Sequence, residues 1–137
     1  MKRKIALLLA VLMSLTMFCM SVNAVQPVEY GLQWDNIFTV RGGVLSFNGT
    51  SGNYSVSIIG NVGVERITAT VDLYYKNFWG SWVEVDMGWE YDVDSDTLSI
   101  DEDFTGVSGR EYKAVLTATV YLDGVGEEVT KTSTAEC

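Results

Sequence analysis

The stretch DVDSDTLSIDED, residues 92–103, is the densest run of carboxylates in the chain. Asp92, Asp94 and Asp96 alternate, and a helix–loop–helix calcium site takes its first oxygen ligands at alternate positions. Counting from Asp92, loop positions 1, 3, 5 and 12 are Asp92, Asp94, Asp96 and Asp103. Position 6, where that loop needs glycine for its sharp turn, is Thr97. The flanks alternate like strands, so the helix–loop–helix reading fails. A looser calcium site on Asp92, Asp94 and Asp96 survives. The competing reading is a solvated acidic turn, because Asp and Ser side chains bond nearby backbone and are ordinary turn residues.

Other chemistry is sparse. The chain has no histidine, which removes the usual general base, the Ser-His-Asp triad and the commonest zinc ligand. A glycosidase needs two carboxyls across a cleft. Eighteen acidic residues make some such pair inevitable, but no spacing singles one out. The expectation is a protein that is not an enzyme and carries no cofactor, calcium aside. Aromatic residues offer binding instead. Phe78 and Trp79 stand in KNFWGSW, between two well-phased alternating runs and beside Gly80. Two large aromatics on so short a turn do not both bury easily, and exposed aromatics on loop tips serve protein contact or sugar stacking. Tyr74, Trp82 and Tyr121 fall on the more polar faces of their runs. Tyr74 and Trp82 share a face if residues 66–76 and 82–92 pair, forming either a sugar platform or a cross-strand pair that stabilises the sheet.

The compartment follows from the first residues, MKRKIALLLAVLMSLTMFCMSVNA. A basic start, an apolar run from Ile5 to Met20 and a small residue at Ala24 make a secretory signal peptide over residues 1–24, with a bacterial look. The expected mature chain, residues 25–137, is one secreted domain of 113 residues (137 − 24). Losing Lys2, Arg3 and Lys4 takes its net charge from −9 to −12. So acidic a chain repels nucleic acid and anionic lipid, and neither is an expected partner. Cys137 alone remains in the mature chain, so an internal disulfide is excluded; a free thiol and an intermolecular link both stay open. Asn48-Gly-Thr50 and Asn53-Tyr-Ser55 match the glycosylation pattern, incidental in a bacterial protein.

The elements that must position these residues are strands. ITATVDLYYK places Ile67, Ala69, Val71, Leu73 and Tyr75 on one face. WVEVDMGWEYD and YKAVLTATVYL repeat the alternation, the half-buried strand signature. Gly42-Gly43, Asn48-Gly49, Gly60 to Gly63, Gly80 and Asp123-Gly124 punctuate the runs. Strands are predicted at 36–41, 44–49, 54–60, 66–76, 82–92, 97–103, 111–122 and 127–135. Short strands at regular spacing make an all-β, antiparallel two-sheet sandwich of seven or eight strands. Glu127, Glu128 and Lys131 are read as charges that blunt an edge strand.

Residues 67–137 resemble a fibronectin type III or immunoglobulin-like domain. ITATVDLYYKNFWGSWVEV looks like its C–C′ hairpin, and TLSIDEDFTGVSGREYKAVLTATVYLDGVGEE like its strands E, F and G. SGREYKA resembles the tyrosine corner, which implies that the Tyr112 hydroxyl bonds backbone upstream, with Ala114 where antibody domains hold a cysteine. The whole chain resembles small secreted sandwich proteins of Gram-positive bacteria, a group with no agreed function. The combined expectation is an extracellular module that binds a protein or glycan ligand through the Phe78–Trp79 tip. A purely structural role and calcium binding are the alternatives.

Overall fold

In a computed structural model, residues 34–137 are described; the expected leader lies outside them. Seven strands follow in order: β1 (Ile37–Asn48), β2 (Ser51–Gly60), β3 (Arg66–Lys76), β4 (Trp82–Val93), β5 (Thr97–Thr105), β6 (Glu111–Leu122) and β7 (Val125–Glu136). They form two antiparallel sheets, β1-β2-β5 and β4-β3-β6-β7, packed as a sandwich. The period-two alternation sets the packing. Ile67, Ala69, Val71 and Leu73 on β3 are buried, as are Tyr112, Ala114, Leu116, Ala118 and Val120 on β6. From the other sheet come Tyr54, Val56 and Ile58 of β2 and Leu98, Ile100 and Phe104 of β5.

The predicted strands 36–41 and 44–49 are one strand. Gly42 and Gly43 both have positive φ, 78° and 72°, but make a bulge instead of a turn. Gly42 pairs with Val56 and Val44 with Ser55, so Gly43 is the extra residue. The bulge seats Lys131 of β7, whose side chain occupies the place of a Gly43 Cβ and whose ammonium donates to the Gly42 carbonyl.

The two open flanks of the sandwich are closed by side chains. On one flank Ser133 accepts from the Leu45 N–H at 3.0 Å, and the Glu127 carboxylate accepts from the N–H groups of Asp35, Asn36 and Ile37 at 3.0, 2.6 and 3.1 Å. Asn36, itself buried, donates to the carbonyls of Val120 and Val125. Edge charge is therefore not the role of Glu127 and Lys131: both lie against β1 and its lead-in, and of the three only Glu128 is exposed. On the other flank the Tyr91 hydroxyl of β4 donates to the Glu102 carboxylate of β5, and Trp89 packs on Phe104.

Tyr54 is wholly buried, and its hydroxyl has no hydrogen-bond partner among the described residues. Burial pushes its pKa from 10.0 up to about 12. The unfolded chain releases this proton first, so the folded state binds more protons between those values. Stability therefore falls as pH rises through that window. Tyr91 shifts the same way, raised by burial and by its bond to Glu102. Tyr54→Phe removes an orphaned hydroxyl without changing ring shape. It is expected to be more stable than the parent by about 1 kcal/mol at neutral pH. It should also lose less stability between about pH 9 and about pH 12 in urea titrations. A destabilised Tyr54→Phe would mean that the hydroxyl is satisfied in the native state.

Candidate functional site: the aromatic hairpin tip

Antiparallel strands send successive loops to alternate ends of the sandwich. The β1–β2 turn (49–50), the β3–β4 turn (77–81) and the β5–β6 loop (106–110) share one end. Phe78 and Trp79 project from the β3–β4 turn, 95% and 84% exposed. Their backbone is held firmly. The Asn77 side-chain oxygen accepts from the N–H groups of Trp79 and Ser81 at 3.0 and 2.9 Å, and the Asn77 carbonyl accepts from Gly80. Gly80, at φ 78°, supplies the left-handed residue that the turn requires. The two rings meet edge to face, 5.5 Å apart at 84°. Two rings so crossed offer no common flat platform.

Tyr74 and Trp82 do share the outer face of the four-stranded sheet. Tyr74 pairs with Glu84, and Lys76 with Trp82. Their ring faces are occupied: the Lys113 ammonium lies 4.8 Å from the Tyr74 centroid and 4.6 Å from that of Trp82, and Lys76 lies 5.6 Å from Trp82. These are cross-strand cation–π contacts that stabilise the sheet. Tyr121 is not with them. It pairs with Arg66 near the opposite end of the sheet and lies under the Arg66 guanidinium at 5.4 Å.

The loops around the tip differ in charge from the rest of the chain. Residues 49–50, 77–81 and 106–110 contain no carboxylate, and Arg110 is their one charged side chain. Arg110 stacks on the Tyr75 ring at 4.4 Å. Val107, half exposed, adds apolar surface from the β5–β6 loop. Glu111 and Glu136 stand one step back at strand ends, Glu111 paired with Lys76, and the Cys137 carboxylate lies against the β5–β6 loop, accepting from the Gly109 N–H. The β5–β6 loop is anchored by Tyr112, a buried residue whose hydroxyl accepts from the Val107 N–H at 2.8 Å. Cys137 is a half-buried free thiol, its backbone bonded to Gly109 and Arg110.

The acidic stretch divides in space. Asp92 ends β4 and is engaged by Arg66 through two bonds, at 2.8 and 2.6 Å. That guanidinium holds its pKa below the usual carboxylate range. A cation thus already occupies the Asp92 carboxylate, while Asp94 and Asp96 are exposed in the turn. Asp103 lies seven residues further along an extended strand, roughly 23 Å from Asp96 at strand rise. There it and Asp101 both accept from the Asn53 side chain. Among the described residues no group of three acidic, histidine or cysteine side chains is placed to hold a metal ion. Phe78 and Trp79 stand exposed on the turn expected for them, and the acid-free loops at the same end were not expected. Their composition was visible, but their shared location needed the strand order. No family model matches the chain, and no curated protein matches it.

Proposed function

We propose that this protein is a secreted, non-catalytic, fibronectin type III-like module that binds a protein ligand through the loops around Phe78 and Trp79. The observation that carries this reading is the exposure of both aromatics on a rigid turn, within loops that lack carboxylates. Interface cores are enriched in aromatics and arginine and depleted of Asp, Glu and Lys, and rigid aromatics act as binding hot spots. Ordering such a tip on binding costs little, because Asn77 has already fixed it. A glycan is less well served, because the two rings are crossed and Lys113 covers the neighbouring aromatic faces. The sheet order supports the fibronectin-like assignment, with β3–β4 as the C–C′ hairpin and β5, β6 and β7 as E, F and G. The Tyr112 hydroxyl bond supports it too.

The test is surface plasmon resonance of residues 25–137 against extracellular proteins, run beside a glycan array. The expected result is binding that Trp79→Ala weakens by roughly 30-fold or more, the scale of a hot spot. Tyr74→Ala should change it less than about threefold, since its ring is already occupied. A ligand whose affinity is untouched by Trp79→Ala would count against the tip.

A further inference from the structure

The four sheet edges are not alike. Those of β1 and β7 close on each other through Lys131, Ser133 and Glu127. That of β4 is broken, because Val85, Asp86 and Met87 all face the single residue Leu73 of β3. β5 pairs with β2 in unbroken register over Thr97–Thr105, and no strand among the described residues pairs with its other edge. Two bonds fix which groups that edge presents. The Gly60 N–H donates to the Asp96 carbonyl, and the Gly106 N–H to the Thr50 carbonyl. Ladder bonds alternate along an antiparallel pair, so even-numbered residues of β5 bond to β2 and odd-numbered ones turn their N–H and C=O outward. The Thr97 N–H, which donates to the Ser95 hydroxyl at 3.1 Å and not to β2, fits this phase. Ser99, Asp101, Asp103 and Thr105 thus offer a row of main-chain donors and acceptors, with their own side chains exposed.

What lies beside the row names its partner. The sheet that holds β5 has three strands and the facing sheet four; with β1 and β7 together on one flank, β4 reaches past β5 on the other. Trp89, Tyr91 and Val93 of β4 face inward there and are only half-buried, Trp89 against Phe104 and Tyr91 on Glu102. A strand added to β5 would lay every second side chain over this apolar strip. Its other side chains would stand beside Asp101 and Asp103 on the outer face. Asn53, which donates to both, is neutral and leaves the two charges uncompensated. Residues 77–109 hold nine of the chain's eighteen carboxylates and no Lys or Arg, and β2, on the other side of β5, has no charged residue. The nearby cations of β3 and β6 are held elsewhere: Arg66 on Asp92, Lys76 and Lys113 over Trp82. A second copy of β5 is a poor occupant, because antiparallel pairing would set its carboxylates against these. We infer that β5 is a docking edge for an extended segment of another protein in which basic and apolar residues alternate. The segment adds as a strand. Its backbone takes the free groups of Ser99, Asp101, Asp103 and Thr105, its basic side chains meet Asp101 and Asp103, and its apolar ones cover Trp89, Tyr91 and Val93. The inference does not depend on the Phe78–Trp79 tip.

The test titrates a synthetic peptide, TKVKVKT with blocked ends, into isotope-labelled residues 25–137 and follows amide exchange by nuclear magnetic resonance. In the free protein the N–H groups of Ser99, Asp101, Asp103 and Thr105 should exchange faster than those of Leu98, Ile100, Glu102 and Phe104. At a peptide concentration about ten times Kd, exchange of the first set should slow about tenfold. TEVEVET should not bind. TKVKVKT with its main-chain amides N-methylated keeps its side chains and loses its donors, and should bind at least roughly tenfold more weakly. Asp101→Lys/Asp103→Lys changes two exposed side chains, and circular dichroism checks that the variant folds. It should weaken TKVKVKT roughly tenfold or more and bind TEVEVET instead. No binding of TKVKVKT up to about 1 mM overturns the inference, as does equal binding of TEVEVET by the wild type. Undiminished binding of the N-methylated peptide would show ion pairing without an added strand, and protection confined to residues outside β5 would place the contact elsewhere; either overturns it.

Discussion

Glu127→Ala lowers the stability of the domain by about 3 kcal/mol, more than its place on an edge strand would suggest. The carboxylate accepts three backbone N–H groups, from Asp35, Asn36 and Ile37, about ninety residues away in the chain. Hydrogen bonds to a charged acceptor are stronger than neutral ones, and removing the acceptor leaves donors without partners. The N–H of Asp35 is exposed and water can replace its bond; those of Asn36 and Ile37 are at buried residues, where replacement costs more. Loss of the latch also loosens the lead-in that places the Asn36 side chain on Val120 and Val125. A loss of this size lowers Tm by roughly 10–20 °C for a domain of this length. Glu128→Ala, next along the strand and exposed, should change stability by less than about 0.5 kcal/mol. Urea unfolding of residues 25–137 measures both, and equal effects at the two positions would remove the latch from the account.

Gly52→Ala is the second large effect, at about 3 kcal/mol, toward the upper end of overpacking costs. Gly52 is buried near the start of β2, and an added Cβ would lie 2.5, 2.7 and 2.8 Å from three atoms of the Phe104 ring. The ring has little room to retreat. Phe47, Tyr112 and Trp89 surround it at centroid distances of 5.4, 5.9 and 6.0 Å. The glycine is needed for space, not for a left-handed backbone. Shrinking the ring should therefore recover part of the loss. In a double-mutant cycle, Gly52→Ala combined with Phe104→Leu is expected to be more stable than the sum of the single effects. Strict additivity would show that the ring contact is not the cause.

Most of the strand framework was legible in the residues. Ile67, Ala69, Val71 and Leu73 alternate with Thr68, Thr70, Asp72 and Tyr74, and burial follows that alternation. Strands β3, β4, β5 and β6 run within two residues of their expected limits. The Tyr112 hydroxyl bond reaches five residues upstream, so a local motif could carry it. The division of β1 was misread because a glycine pair between two alternating runs signals a turn and a bulge equally well. Only the pairing partner, β2, distinguishes them. Glu127 was misread for a related reason. Its partners are backbone groups of a segment at the other end of the chain, and backbone donors leave no mark in a sequence.

The candidate site shows the same boundary. The residue types placed Phe78 and Trp79 at a turn, because they fall between two well-phased runs beside Gly80, and so short a turn does not easily bury two large rings. Side-chain period and turn chemistry are local, and local order is written in the chain. What only the tertiary structure decided is which surfaces meet. It placed Lys113 over Tyr74 and Trp82, put Arg66 on Asp92, and carried Asp103 away from Asp96 along a strand. It also gathered the acid-free loops at one end. Each of those facts depends on strand order and direction, and these are set by burial of two faces against each other across the whole domain.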